Sequence, residues 1–324
     1  MNILNYILWN PDLVAFHIGP FAVRWYGLMW IIGLTLAYLV VQRLYKEQKI
    51  KDELFDPLFL YCFVGILAGA RLGHCIFYQP DVFLTSWRGI IEMLLPIHFG
   101  NDGSWLGETF GFYVIGYAGL ASHGGTLGLM IALWMYVKHT KLSIWSVLDN
   151  IAIATGTTAC FIRLGNLMNS EIIGNVTSVP WAFEFLQRDG LPRHPAQLYE
   201  ALAYALLFVV MIIIYRKDRK TFANGSSPVT TRPSSVTTHP SSVTTHPSSV
   251  TPHPSSVTKL GTGFYFGLCL TYIFTFRFFV EFLKKNQVDF EEGLPLDMGQ
   301  LLSIPFVIIG VYCMLRARKK RSAA

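Results

Sequence analysis

Charge is what this chain has least of. Only 14% of its 324 residues are Asp, Glu, Lys or Arg, against roughly a quarter in an ordinary soluble domain. With 52% hydrophobic residues and a mean hydropathy of +0.41, that deficit excludes a water-solvated globule and points to lipid as the solvent. Cysteine pairs are also missing. Cys62, Cys75, Cys160, Cys269 and Cys313 all lie in or beside apolar runs, with no CxxC spacing. They read as small buried hydrophobes rather than a disulfide framework or a zinc site, with a catalytic thiol as the alternative. The N-terminus has neither the basic n-region nor the small-residue cleavage site of a secretory signal peptide, so the first apolar helix is expected to be retained. The net charge of +6 does not call for nucleic acid. The basic residues form short runs beside apolar segments, where they act as orientation signals.

What is abundant is apolar length. A spanning helix needs about 20 mostly apolar residues, and seven segments qualify, at approximately 21–41, 57–78, 112–136, 144–165, 197–215, 262–283 and 298–315. Basic clusters follow the first span (Arg43, Lys46, Lys49, Lys51), the third (Lys138, Lys141), the fifth (Arg216, Lys217, Arg219, Lys220) and the seventh (Arg316, Arg318, Lys319, Lys320, Arg321). With seven crossings all four fall on one side, which the positive-inside rule makes cytoplasmic. The expected fold is therefore an all-α polytopic membrane protein of about seven transmembrane helices, N-terminus outside and C-terminus cytoplasmic. The 79–111 loop, with Trp87 and Trp105, is expected along the outer interface.

Residues 226–258 differ in kind. They repeat SSVTTHP-like heptads with regular prolines and little apolar bulk. Such a segment cannot bury enough surface to offset the entropy of ordering, so a disordered cytoplasmic insertion is expected within a single membrane domain of residues 1–225 and 259–324. The repeat lacks the apolar seam of a coiled coil. Its His239, His246 and His253 read as part of that flexible segment rather than as metal ligands.

Ionisable residues inside spans are costly and usually face a protein interior or a water-filled cavity. On the expected topology they share one depth, the outer half of the bilayer: Arg24 and Tyr26, Arg71, His123, Arg163 and Asn166, His194, Gln197 and Glu200, then Arg277 and Glu281. Arg277 and Glu281, four apart, either serve a ligand or pair along one helix face. Tyr26 and Arg24 are either site residues or interfacial anchors. His123 precedes Gly124 and Gly125, which would let backbone or ligand approach closely. Asp149 lies toward the cytoplasmic half and is expected to cap or pair locally; Glu200 is ambiguous. Guanidinium matches phosphate as a bidentate fork, so these arginines suit a phospholipid-handling enzyme or an anion transporter.

The segment RLGNLMNSEIIG, Arg163 to Gly174, resembles the signature of the phosphatidylglycerol–prolipoprotein diacylglyceryl transferase family: Arg163, Gly165, Asn166, Asn169, Glu171 and Gly174 match. Ile162 stands where the family has glycine, and Leu167 where it has phenylalanine; both changes bear on helix packing more than on chemistry. RWYGL from Arg24, GARLGHCIFYQP from Gly69, His123-Gly124-Gly125, HPAQLYE from His194 and RFFVEF from Arg277 resemble the same family, in the same order.

The resemblance implies an enzyme of the bacterial cytoplasmic (inner) membrane. Such an enzyme moves the diacylglyceryl group of phosphatidylglycerol onto the lipobox cysteine thiol in a prolipoprotein signal peptide, releasing glycerol phosphate. Its partners are membrane lipid and the prolipoprotein, with no cofactor, metal or nucleic acid. By the same resemblance Arg163 and Arg277 bind the phosphate, and Asn166 and Tyr26 orient the headgroup. Gly124, Gly125, Gly174 and Glu281 join them in holding the lipid. His123 is the candidate base, with Glu171 or Glu281 in reserve, unless the arginines alone lower the thiol pKa. A transporter should carry polar residues through both halves of the bilayer, whereas the inner half here is nearly bare. An intramembrane serine hydrolase on Ser122 lacks the GxSxG elbow.

Overall fold

The computed structural model describes residues 6–19, 21–95, 97–100, 105–114, 121–225, 259–284 and 296–322. The expected insertion at 226–258 and most of the 284–297 loop lie outside the described residues. Helices α1 (Trp25–Glu47) and α2 (Asp52–Phe77) are followed by the short α3 (Pro80–Phe83), α4 (Trp87–Leu94) and α5 (Trp105–Phe110). The long helices resume with α6 (Ser122–Thr140), α7 (Ile144–Met168), α8 (Ala196–Gly225), α9 (Phe264–Glu281) and α10 (Met298–Ser322).

Six described helices, α1, α2, α7, α8, α9 and α10, are long and apolar enough to cross a membrane. The chain is accordingly a mostly helical, multi-pass membrane protein. The expected third span falls on α6, which starts at Ser122 rather than at residue 112, has polar residues at both ends and is not among the six.

The all-α expectation needs one correction, because seven short strands lie among the described residues: β1 (Ile7–Trp9), β2 (Val14–Ile18), β3 (Phe21–Arg24), β4 (Ile97–Phe99), β5 (Phe112–Val114), β6 (Phe183–Phe185) and β7 (Pro192–Arg193). β3 and β5 occupy stretches expected as helical. Apolar content alone does not separate a short strand from the start of a spanning helix.

The chain divides into two compact units, Met1–Val41 with Leu148–Ala324, and Gln42–Val147. In the first, Thr158 of α7 donates to the Gly33 carbonyl of α1 at 3.1 Å, and the Phe274 and Phe306 rings stack at 4.3 Å between α9 and α10. Strand β1 pairs parallel with β6, which pairs antiparallel with β7. The period-2 alternation of a strand turns Phe183 and Phe185 inward, where they pack with Leu167, Trp9 and Ile173. Trp9 Nε1 then donates to the Leu167 carbonyl at 2.9 Å, anchoring the end of α7 from which the signature segment leaves.

Asp149 in α7 is fully buried and accepts the backbone N–H groups of Gly261, Gly263 and Phe266, at 2.8, 3.0 and 2.9 Å. It does cap, as expected, but the helix it caps is α9, more than a hundred residues along the chain. The capping is tertiary rather than local.

In the second unit α2 and α6 pack backbone to backbone. A Cβ on Gly69 would stand 2.8 Å from the Gly128 Cα, and one on Gly73 equally close to the Gly124 Cα. Lipid supplies no hydrophobic drive for helix association, so such close packing is what holds a membrane helix pair. Arg71 is buried in this unit. It donates from Nη2 to the Glu92 carbonyl at 2.9 Å and lies 4.9 Å from the Phe83 ring centroid. Its charge thereby holds the segment that follows α2.

Candidate active site

The signature segment folds into a side-chain network that its spacing alone does not reveal. Helix α7 ends at Met168, and Ser170 and Ile172 then take positive φ, 52° and 56°, a region that non-glycine residues enter only when their surroundings hold them there. Here the Ser170 carbonyl receives Arg188 Nε at 2.8 Å, and the Glu171 N–H returns to the Asn166 carbonyl at 2.9 Å. The turn brings the Glu171 carboxylate back over the helix end. Asn166 Nδ2 donates to Glu171 Oε2 at 3.0 Å and Asn169 Nδ2 to Oε1 at 3.1 Å. Gln197, fully buried, donates to the Glu171 carbonyl. Glu171 is thus fixed by amides, with both carboxylate oxygens engaged.

Arg163 sits one helical turn before Asn166 and donates from Nη1 to its Oδ1 at 3.2 Å. Its Nε lies 3.1 Å from Glu200 Oε2. Glu200 is fully buried, and its other oxygen lies 3.3 Å from Lys284 Nζ. Lys284 in turn lies 3.2 Å from Glu281 Oε2. Charges alternate along this chain, which is what makes ions tolerable at such burial. Tyr204 donates to Glu200 Oε1 at 3.4 Å, and both Arg163 and Arg277 act electrostatically on its phenol. Both arginines are thus within electrostatic reach of one phenol on α8.

They are not equally committed. Arg163 is held on two edges, whereas Arg277, half-buried in α9, makes no hydrogen bond and no ion pair with the described residues. The expected alternative of a structural Arg277–Glu281 pair is not formed, since Glu281 turns to Lys284. Tyr26 stands beside this group: a Cβ on Gly165 would meet its ring at 3.0 Å.

Gly174 lies where three chain segments cross. A Cβ there would meet the His194 Cβ and carbonyl at 2.6 Å and the Leu283 carbonyl at 2.7 Å. Its N–H donates to the His194 carbonyl at 3.0 Å, and its carbonyl receives Arg193 Nη1 at 2.9 Å. The glycine ties together the signature segment, the start of α8 and the exit of α9. His123, Gly124 and Gly125 belong to the other unit. His123 is exposed in the first turn of α6, with no hydrogen bond to the described residues, and Gly124 is used in packing against α2. Lys284 was not singled out by sequence. Lying just past an apolar run beside Lys285, it reads as one more basic flank, and its burial is decided by two distant carboxylates.

Between α8 and α9 runs a groove of about 610 Å³, lined mainly by apolar residues including Leu202, Leu206, Phe276 and Phe279. At one end Trp181 Nε1 donates to the Tyr199 hydroxyl at 2.8 Å, and His194 Nδ1 lies 3.2 Å from the same oxygen. Burial lowers the His194 pKa below its ordinary 6.5, favouring a neutral ring there.

A multi-pass membrane protein with a buried alternating charge chain, a guanidinium on α9 without a hydrogen bond or ion pair among the described residues, and an apolar groove belongs among membrane proteins that handle amphiphilic anions. The chain belongs, specifically, to the prolipoprotein diacylglyceryl transferase family, whose model matches residues 13–230 and 251–316. It is 50% identical over 321 residues to the phosphatidylglycerol–prolipoprotein diacylglyceryl transferase of Bacteroides fragilis, covering 99% of both chains. It is 35% identical over 317 residues to the enzyme of that name from Tolumonas auensis (98% and 99% covered), and 32% over 322 residues to that of Vibrio cholerae (96% and 93%).

Proposed function

We propose that this chain transfers the diacylglyceryl group of phosphatidylglycerol to the lipobox cysteine of a prolipoprotein, at the outer level of the bacterial inner membrane, with seven spans and a cytoplasmic C-terminus. Sulfur attacks the glycerol carbon that bears the phosphate ester. The C–O bond breaks, a thioether forms, and glycerol phosphate leaves with the bonding pair. The observation that carries this reading is a pair of arginines: Arg163, oriented by Glu200 and Asn166, and Arg277, half-buried on α9 with no hydrogen bond or ion pair to the described residues. Fixed cations placed where charge develops on the leaving phosphate stabilise the transition state without reorganisation.

In this proposal Arg277 takes the phosphate as a fork, and Arg163 adds its free edge while Glu200 and Asn166 hold its orientation. Tyr26 bounds the headgroup beside Gly165. Glu171, engaged by two asparagines, shapes the site and is the reserve candidate for the base. His123, exposed at the start of α6, is the proposed acceptor of the thiol proton, since the thiolate is the competent nucleophile. Gly124 and Gly125 keep the backbone around it narrow. Glu281 is engaged by Lys284 and takes no part in holding the lipid in this proposal. The groove between α8 and α9 offers an apolar channel for an acyl chain.

The test is direct. Purified protein in detergent is incubated with phosphatidylglycerol and a fluorescent lipobox peptide, and the peptide is weighed. A gain of one diacylglyceryl unit, requiring both the peptide cysteine and Arg163, supports the proposal; an unmodified peptide from folded, lipid-bound protein defeats it.

A further inference from the structure

Glu281 follows Arg277 by four residues on α9, the spacing at which side chains meet on one helix face. A carboxylate there should close onto the guanidinium. It does not. Glu281 Oε2 lies 3.2 Å from Lys284 Nζ, and the same ammonium lies 3.3 Å from Glu200 Oε1. The Lys284 side chain is only 5% exposed, so it is committed to these two carboxylates. Its backbone is equally fixed, bridging to Gly174 of the signature segment. Behind Glu281 the wall is Gly299, where a Cβ would stand 2.7 Å from Oε1. That missing methyl leaves the carboxylate room to point at Lys284.

We infer that Lys284 is a positioning residue whose ammonium holds Glu281 away from Arg277 and shares Glu200 with Arg163, keeping the two guanidiniums open to an anionic headgroup. This rests on the phosphate-binding role proposed for Arg277. Along the chain Arg163, Glu200, Lys284 and Glu281 the charges cancel, and Arg277 stands outside it. Without Lys284, Glu200 keeps Arg163 and Tyr204 among the described residues, and Glu281 is left with Arg277 one helical turn away on its own helix. An unpartnered buried charge is costly, so Glu281 would turn to Arg277, and a phosphate would have to displace it.

The experiment titrates short-chain phosphatidylglycerol into the full-length, detergent-solubilised protein and reads Kd for native protein, Lys284→Met, Glu281→Gln and the double variant. Lys284→Met is expected to weaken binding at least about tenfold. In the double variant the competing carboxylate is gone and Glu200 keeps Arg163, so binding should recover to within about threefold of native. Glu281→Gln alone should bind no more weakly than native protein. A native Kd in Lys284→Met overturns the inference, and so does a double variant as weak as the single, since a plain structural strut would not be rescued by removing its partner. Should Lys284→Met not fold, weakened binding in Glu281→Gln still overturns it. Arg277→Ala separates the two levels: native affinity in that variant would defeat the phosphate reading itself, whatever Lys284 does.

Discussion

Arg163 Nε stands 3.1 Å from Glu200 Oε2, and the glutamate side chain is wholly buried while the arginine keeps 17% of its surface exposed. The pair is lopsided: the carboxylate is sealed inside, and the arginine side chain stays partly exposed. Glu200 therefore works as an internal counter-ion, orienting Arg163 without using up its capacity for a second anion. The same carboxylate also holds Lys284, so it anchors two cations on different elements.

Removing that anchor should cost stability before anything else. Glu200→Gln leaves two buried cations under-compensated, and breaking a buried pair in this way costs about 3 to 5 kcal/mol. Thermal unfolding in detergent should show a large loss for Glu200→Gln and little change for Arg277→Ala, which removes no internal ion pair.

Fork geometry at Arg277 is separately testable. Arg277→Lys keeps the charge but offers no planar pair of donors. Losing one charge-assisted hydrogen bond is worth about 1.5 to 3 kcal/mol, or roughly ten- to hundredfold in rate. Transferase activity should fall by that factor with the thermal midpoint unchanged; full activity in Arg277→Lys would show that a point charge suffices.

The capping of α9 by Asp149 predicts a stability defect. Asp149→Ala strands three backbone donors in the interior and should cost about 2 kcal/mol or more. The Lys259 N–H also donates to Asp218 Oδ2 at 2.6 Å, so the chain is fastened again as soon as it returns from the insertion. Replacing residues 226–258 by a short glycine–serine linker should accordingly leave transferase activity intact, while Asp149→Ala lowers the midpoint with or without the insertion.

His194 gives a pH dependence with a definite sign. Its folded-state pKa lies below the ordinary 6.5 because burial disfavours the charged ring. The unfolded chain thus binds this proton more readily, and stability is lost as pH falls through about 6.5. A midpoint measured from pH 7.5 down to 5 should drop less steeply in His194→Gln than in native protein. Parallel curves would remove His194 as a source of acid sensitivity.

Much of this molecule was legible from its residues. Low charge and long apolar runs are properties of composition, and any fold that hides such a chain from water must be membrane-spanning helices or a closed barrel. The arginines, asparagines and the glutamate of the signature segment stood out because polar groups in apolar surroundings need a reason. Tertiary structure decided their commitments. Arg277 and Glu281 have the spacing of a local pair, and Lys284, three residues beyond Glu281, takes the carboxylate because Glu200 on another helix holds that ammonium in place. Arg71 reads like Arg163 in sequence, yet a backbone carbonyl and an aromatic ring claim it. Gly174 matched the family signature, and its reason for being glycine is the crossing of three chain segments. Periodicity and composition act over neighbouring residues, whereas the choice among possible ionic partners is made by distances across the fold, and electrostatic energy in a low-dielectric interior is set by those distances.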